Sequence, residues 1–284
     1  MELSGFYSLF LNFLFNFAKI HLLQRKRYFY LIKIQYLGYR LHGWQRQPGL
    51  KTIESLIKKT MKFVLGEARF KILGASRTDA MVSAQEGAFE LFLEEEPLES
   101  TEEFLIIFNK NLPQDIRAIN ILEVDEKFNI IQHPKKKEYL YLFAFGAKSH
   151  PFCAPLLATF QEDLDIDLMM EGAKLFKGRH NFRNYCTKPT EHTILEREIE
   201  DCEIIENTQI TASFFPEHSY ALKISGTGFL RNQIRLMMGA LVLLGRGELS
   251  LEDLEKSLTP EIHDPITYIA PGSGLILNKV EFEG

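Results

Sequence analysis

The sequence predicts an α+β fold. Apolar stretches with the alternation of β-strands are separated by amphipathic stretches with helical spacing. In the first half they follow in the order β-α-β-β-α-β, which is the order of a ferredoxin-like arrangement. The second half repeats this character, with hairpin-linked strands and helices expected on one face. A chain of 284 residues, with 45% hydrophobic residues, is long enough for one large domain or two of ordinary size.

The first 27 residues stand apart as an apolar leader. Their stretch FYSLFLNFLFNFAKIHLL, residues 6–23, is interrupted by polar residues and falls short of the ~20 clean apolar residues of a membrane span. A secretory signal would carry its positive charge before the apolar stretch, whereas Arg25, Lys26 and Arg27 follow it. We expect a packed or loosely ordered helical leader, and we do not favour the alternatives of membrane contact through residues 6–23 or a targeting signal.

The elements of the first half can be placed from Tyr28 onward. YFYLIKIQYLG reads as a strand, and TIESLIKKTMKFVLG predicts a helix with Thr52 as its N-cap and Gly66 as its stop. After two more strands, STEEFLIIFNKNLP predicts a capped helix that closes at Pro113, and IRAINILEVD predicts a strand.

A domain boundary is expected where DEKFNIIQHPKKK breaks both periodicities, near residues 126–136. We therefore expect one sub-domain at 28–130 and a second at 131–284. In the second, strands are predicted at EYLYLFAF, EREIEDCEIIE, SYALKISG and GLILNKVEF, and helices at DIDLMMEGAKLFKG and FLRNQIRLMMGALVLLG.

The segment GASRTDAMVSA lies between two predicted strands of the first half and sets Arg77, Thr78 and Asp79 side by side. A loop that only had to turn would more naturally use Asn-Gly or Asp-Gly. The segment therefore presents a carboxylate, Asp79, and the plain alternative is an Arg–Asp pair on a solvated loop.

Two arginines lie on the predicted helix at 230–244. Arg231 and Arg235 are four residues apart and share a stripe beside the apolar face. The preceding Gly-Thr-Gly allows a ligand or another backbone to approach closely, although two solvated arginines are the alternative.

Basic and aromatic residues also adjoin one another in KKKEYLYLF. Lys135, Lys136 and Lys137 precede Tyr139 and Tyr141, which strand alternation sends to one face. This suits a basic rim for phosphates beside a ring that can stack on a base. Two core tyrosines with lysines at the rim are the alternative.

The only tryptophan, Trp44, is followed by Gln45 in the Gly/Pro-bounded loop RLHGWQRQPG, which suits either RNA contact or a packed loop. The net charge of −5 requires any phosphate binding to come from a local cationic surface. No His/Cys/Asp cluster has metal spacing, and no P-loop or GxGxxG is present. Three widely spaced cysteines favour a reducing compartment.

Taken in order along the chain, these motifs resemble the TruA family of tRNA pseudouridine synthases. SRTDAMVSA is similar to the family's catalytic loop, in which a glycine stands at the place of Met81. The resemblance continues in YLGYRLHGWQRQ, NKNLPQDIRAINILEVDEKF, KKKEYLYLF, GFLRNQIRLMMGAL and APGSGLILNKVEF. It runs from about Tyr28 to Phe282.

The resemblance implies roles for individual residues. Asp79 would be the essential aspartate, Tyr139 the ring beside the target uracil, and Arg235 the basic partner of that aspartate. RNA-contacting residues are expected at Arg77, Thr78, Trp44, Gln45, Lys135, Lys136 and Arg231. No cofactor and no metal are implied.

The resemblance also implies an architecture and an activity. Two ferredoxin-like, RRM-like sub-domains would bring mostly antiparallel sheets together at a basic central cleft, with helices on the outer faces. A homodimer would grip tRNA and isomerise uridine to pseudouridine in the anticodon stem-loop, at positions 38–40, in the cytoplasm. The alternatives are an RNA-binding or RNA-folding protein of this fold without turnover, and the same isomerase acting on another RNA.

Overall fold

The computed structural model of the chain describes residues 26–260 and 266–282. The predicted leader therefore lies outside the described residues, except for Lys26 and Arg27. In the described part, no helix has both the length and the apolar composition needed to cross a membrane.

This part of the chain contains ten strands and five α-helices, and most neighbouring strands pair antiparallel, as expected for an α+β fold. The strands are β1 Arg27–Tyr36, β2 Phe70–Gly74, β3 Ser83–Glu94, β4 Ile116–Val124, β5 Pro134–Phe145, β6 Ala158–Phe160, β7 Gly178–Asn181, β8 Glu196–Glu206, β9 Tyr220–Gly226 and β10 Leu275–Phe282. The α-helices are α1 Ile53–Leu65, α2 Thr101–Asn111, α3 Ile166–Leu175, α4 Gln233–Gly245 and α5 Leu251–Lys256. The short elements β6, β7 and α5 have too little periodicity to be predicted.

The described strands form one sheet rather than two separate ones. Its order is β4-β1-β3-β10-β5-β9-β8-β7, with β2 paired to β3 and β6 paired to β5. Strand β10 joins the halves because it pairs antiparallel with β5 and makes a short parallel pairing with β3, Ile276 opposite Ser83 and Leu277 opposite Ala84. Two distinct sheets were expected, whereas the structure has one continuous sheet whose halves are joined by the last strand, β10.

The sequence signals of helix α1 act as predicted. Thr52 caps the helix, since its side chain accepts from the backbone N–H of Ser55 and the Ser55 side chain reciprocates. Three of its apolar residues, Ile53, Ile57 and Met61, are fully buried in the core. Burial of this face, rather than helix propensity, supplies most of the stability of such an element.

Helix α4 begins later than predicted. Asn232 takes a left-handed conformation with φ 60°, so the helix starts at Gln233. The backbone N–H of Leu230 donates to the side-chain oxygen of Gln233 at 2.7 Å and closes a turn before the helix. Arg231 consequently lies on an exposed loop, and the expectation of a shared helical stripe with Arg235 is wrong.

Candidate active site

The loop between β2 and β3 carries Asp79 at the junction of the two halves of the sheet. Its backbone is held by the segment after β1: the N–H of Trp44 donates to Thr78 O at 3.0 Å, and the N–H of Met81 donates to Leu41 O at 3.0 Å. The phenol of Tyr36 forms a 2.8 Å hydrogen bond with the hydroxyl of Thr78. Three independent contacts therefore fix the conformation around Asp79.

Glycines allow the neighbouring backbones to approach this loop. Gly43 has φ 81°, and a Cβ on it would lie 2.6 Å from the carbonyl oxygen of Thr78. A Cβ on Gly272, which precedes β10, would lie 2.4 Å from the carbonyl oxygen of Ala80. The loop is thus enclosed from both halves of the chain at positions where a side chain does not fit.

Arg235 meets Asp79 across the junction. Its Nη1 lies 3.7 Å from Oδ2 of Asp79, and the exposed fractions of the two side chains are 18% and 28%. The guanidinium is oriented by two further acceptors, because Nε donates to Ala270 O at 2.8 Å and Nη1 donates to Asn232 Oδ1 at 3.2 Å. The predicted pair of Asp79 and Arg235 is therefore formed.

Burial has the larger effect on the protonation of Asp79. It raises the pKa of this carboxyl above its ordinary value, and the charges of Arg235 and then Arg231 offset only part of that rise. The net direction is upward, so the arginines limit the increase without reversing it. The site holds a carboxylate that is poorly solvated and correspondingly more basic.

Tyr139 lies beside this pair. Its side chain is 8% exposed, and its ring meets that of Phe229 edge to face, with 5.3 Å between the centroids. Burial, with a further contribution from the charge of Asp79, raises the pKa of the Tyr139 phenol to about 12. At neutral pH the phenol is therefore protonated and can donate a hydrogen bond.

Strand β5 turns one face toward the Asp79 loop. Lys137 donates from Nζ to Ala75 O at 2.7 Å, and Tyr141 donates from its hydroxyl to Pro271 O at 2.8 Å. The sequence predicts Lys137 only as a member of the basic rim, with no role of its own. Its spacing of two residues from Tyr139 was the signal that it shares the face of that tyrosine.

Met81, where the family motif has glycine, has φ 68°. A left-handed conformation costs a non-glycine residue roughly 1–2 kcal/mol. The hydrogen bond to Leu41 and the enclosing glycines hold the loop in this conformation despite that cost.

Trp44 lies in the core, only 5% exposed. Its ring fills the space above Gly74, where a Cβ would lie 2.3 Å from the indole, and it packs against Phe89. This position favours the packed-loop interpretation over RNA contact by the ring. Gln45, the next residue, is exposed.

The remaining predicted RNA contacts lie on the surface. Arg77, Lys135 and Arg231 are exposed, and Lys136 forms a 3.4 Å ion pair with Glu200 of β8. Arg231 is close enough to Asp79 for its charge to lower the pKa of that carboxyl, whereas the lysines lie at the start of β5. Within residues 26–260 and 266–282, no group of three His, Cys, Asp or Glu side chains could hold a metal ion.

The chain is similar to known proteins over most of its length. A sequence model of the family described as tRNA pseudouridine synthase matches residues 173–283. The tRNA pseudouridine synthase A of Dictyoglomus thermophilum is 31% identical over 253 residues, 88% of this chain and 98% of that protein. The tRNA pseudouridine synthase A 2 of Bacillus anthracis is 31% identical over 255 residues, 89% of this chain and 99% of that protein. The tRNA pseudouridine synthase A of Staphylococcus carnosus is 28% identical over 250 residues, 88% of this chain and 89% of that protein.

Among solved structures, an unknown protein from Galdieria sulphuraria matches with a TM-score of 0.20 and 9% identity, over 71% of this chain and 84% of that chain. This likeness is too weak to bear on the fold.

Proposed function

The chain belongs to the tRNA pseudouridine synthase A family, and from this premise we propose that it isomerises uridine to pseudouridine in the anticodon stem-loop of tRNA, at positions 38–40. The observation that carries the proposal is the pairing of a poorly solvated carboxylate, Asp79, with Arg235 from the other half of the chain. It is the arrangement that the family resemblance implies.

The chemistry suits a site built from side chains alone. Breaking the N-glycosidic bond, turning the uracil and joining its carbon 5 to the ribose leaves the oxidation state unchanged and adds no group. At the end carbon 5 loses its proton, and the ring nitrogen released from the ribose carries a proton instead, so the product is an isomer of the substrate. A cofactor is therefore unnecessary, and the reaction requires an ionised carboxylate, a pocket that retains the free uracil and a proton acceptor.

We assign these tasks to the residues around Asp79. The carboxylate of Asp79 starts the reaction, and Arg235 favours its charged form against the effect of burial. Tyr139 contributes its ring beside the uracil and its protonated hydroxyl as a hydrogen-bond donor. Arg77, exposed two residues before Asp79, supports the flipped nucleotide, whose extrusion from a stem costs a few kcal/mol.

Other parts of the surface would grip the remainder of the RNA. Lys135 and Lys136 at the start of β5, Arg231 on the loop before α4, and Gln45 are the candidate contacts. Cationic side chains that bind phosphates supply affinity without sequence preference, and they make binding salt-dependent.

We also propose that the chain comprises two ferredoxin-like sub-domains, 28–130 and 131–284, that flank an RNA-binding cleft. The strand orders β4-β1-β3-β2 and β10-β5-β9-β8 support this, because each is the fourth-first-third-second order of such a unit. By the family resemblance we propose a homodimer. A cytoplasmic location is supported by the three free cysteines.

Pseudouridine mapping in a strain that lacks the gene tests the proposed substrate. We expect pseudouridine at tRNA positions 38–40 to disappear and to return with the wild-type gene but not with Asp79→Asn. If pseudouridine disappeared from another RNA instead, the chain would be an isomerase with a different substrate. An unchanged map would favour the RNA-binding alternative.

A further inference from the structure

Lys137 is a partly buried cation that the proposed mechanism does not use. It lies on β5 two residues before Tyr139, and therefore on the same face of the sheet. Its Nζ donates to the carbonyl oxygen of Ala75 at 2.7 Å. Ala75 directly follows β2 at the start of the loop that carries Asp79, so this bond joins the loop of one half of the chain to a strand of the other.

The environment of Lys137 is unfavourable for a lysine. Burial lowers the pKa of its ammonium group to about 8. A lysine normally buries its methylene stem and keeps the charged head in water. Here the head group points at a backbone carbonyl, and no carboxylate of the described residues lies within ion-pair distance. The ammonium group of Lys137 is therefore held in a poorly solvated position, where it makes a hydrogen bond to the loop that carries Asp79.

The segment that encloses the middle of the loop is bonded to the same face of β5. Tyr141 donates to the carbonyl of Pro271, and the adjacent Gly272 packs against the carbonyl of Ala80. Lys137 holds the loop at Ala75, directly after β2. Tyr141 holds Pro271, and the following Gly272 packs against the loop at Ala80. Strand β5 thus contacts the start of the loop directly and supports its middle through the segment at Pro271 and Gly272.

The same alignment bears on Arg235. Its guanidinium is fixed by Ala270, one residue before Pro271, so its position is set within the second half of the chain. The position of Asp79 relative to it then depends on how firmly the loop is held against β5. A change of about 1 Å in such an arrangement can slow a reaction ~100-fold.

We propose that Lys137 is a positioning residue, which fixes the start of the Asp79 loop to β5 and so holds Asp79 in register with Arg235. This rests on the proposed function. Lys137 acts through the loop and does not itself touch the reacting atoms. Its loss should therefore slow the chemical step and leave affinity for tRNA nearly unchanged.

The test compares Lys137→Met with Lys223→Met in the full chain. Lys223 lies on the neighbouring strand β9 and pairs with Glu138, which points to the opposite face from Lys137. With enzyme in excess over uracil-tritiated tRNA, we expect Lys137→Met to release tritium ~10–100-fold more slowly than wild type, with a Kd within about threefold. Lys223→Met should match the wild-type rate within about twofold.

A folded Lys137→Met protein that released tritium at the wild-type rate would overturn the proposal. An equal loss of rate and of tRNA affinity would also overturn it, because it would indicate that Lys137 contacts the RNA directly. If the methionine variant does not fold, Lys137→Arg and Lys137→Gln are compared instead. Lys137→Arg keeps a cationic donor and should release tritium at least about fivefold faster than Lys137→Gln, and equal rates would overturn the proposal.

Hydrogen exchange separates this proposal from the proposed function. Even if wild type released no tritium, which would count against the proposed function, Lys137→Met should speed exchange of the Ala75 and Met81 amides at least about tenfold, and Lys223→Met should not. Unchanged exchange of these amides in Lys137→Met would overturn the positioning role.

Discussion

Asp79 and Arg235 lie 3.7 Å apart, Oδ2 to Nη1, although they come from opposite halves of the sequence. The carbonyl of Ala270 and the side chain of Asn232 hold the guanidinium in place. Both members of the pair therefore come from the same chain. Its electrostatics depend on two opposed effects, burial of the carboxyl and the nearby positive charge.

Removing the charge of Arg235 should move the acid limb of the activity profile. Burial already raises the pKa of Asp79, and Arg235 opposes this, so Arg235→Gln leaves burial less opposed and raises the pKa further. Because the carboxylate is the proposed active form, the acid limb of kcat/KM should move to higher pH in Arg235→Gln than in wild type. The profile is measured by tritium release from about pH 5 to 9.

Two variants serve as controls for that shift. Arg235→Lys keeps a positive charge and should leave the limb close to that of wild type. Arg179→Gln removes an exposed arginine that pairs with Glu196, and it should leave the acid limb where it is in wild type. An acid limb that stayed in place in Arg235→Gln would contradict the electrostatic role of Arg235.

A methyl group on Gly272 should displace the Asp79 loop. Its Cβ would lie 2.4 Å from the backbone oxygen of Ala80, so one of the two backbones must move. We expect Gly272→Ala to slow tritium release at least ~10-fold and to destabilise the fold by about 1–3 kcal/mol. In Gly87→Ala the new Cβ would meet only an ordinary contact at 3.4 Å, so this substitution should reduce the rate and the stability less than Gly272→Ala does. Equal effects of the two substitutions would argue against a tightly enclosed loop.

Restoring glycine at position 81 should have little effect. Met81→Gly relieves the left-handed strain but increases the freedom of the unfolded chain, and these effects oppose each other, so the free energy of unfolding should change by less than about 1 kcal/mol. Turnover should stay within about threefold of wild type. Denaturant unfolding and tritium release check both values, and a gain in rate of about tenfold would show that methionine impairs the loop.

Lys135 should contribute to binding through phosphate contact alone. Lys135→Ala should weaken the binding of all tRNAs alike and reduce the slope of log K against log salt by about 1. Filter binding over a range of salt concentrations measures the slope. A loss of affinity for a single tRNA would point to a base contact instead. Lys136→Ala should have a smaller effect, because Lys136 already pairs with Glu200.

Local signals made most of the elements predictable. Thr52 and Gly66 mark the ends of α1 because a cap depends on residues a few positions away, and the strand alternation at Tyr139 and Tyr141 likewise depends only on spacing. The pair of Asp79 and Arg235 was expected from the family resemblance rather than from the spacing of the residues.

The features that escaped prediction depend on distant partners. Asn232 has a left-handed backbone conformation, and its side chain donates a hydrogen bond to Thr187, 45 positions away in sequence. The helix therefore starts after Asn232, and Arg231 lies outside it. Trp44, in the segment after β1, is buried because Gly74 of β2 leaves room for its ring. The joining of both halves by β10 rests on a parallel pairing of two residues, which no sequence periodicity encodes.

Single-turnover tritium release by Asp79→Asn tests most directly whether this carboxylate drives the isomerisation. The amide keeps the shape of the side chain but cannot be ionised, so we expect release to fall by at least about a thousandfold while the Kd for tRNA stays within about threefold. Asp201→Asn, which removes a surface carboxylate paired with Lys177, should behave as wild type. An Asp79→Asn protein that released tritium at the wild-type rate would contradict the proposed role of Asp79.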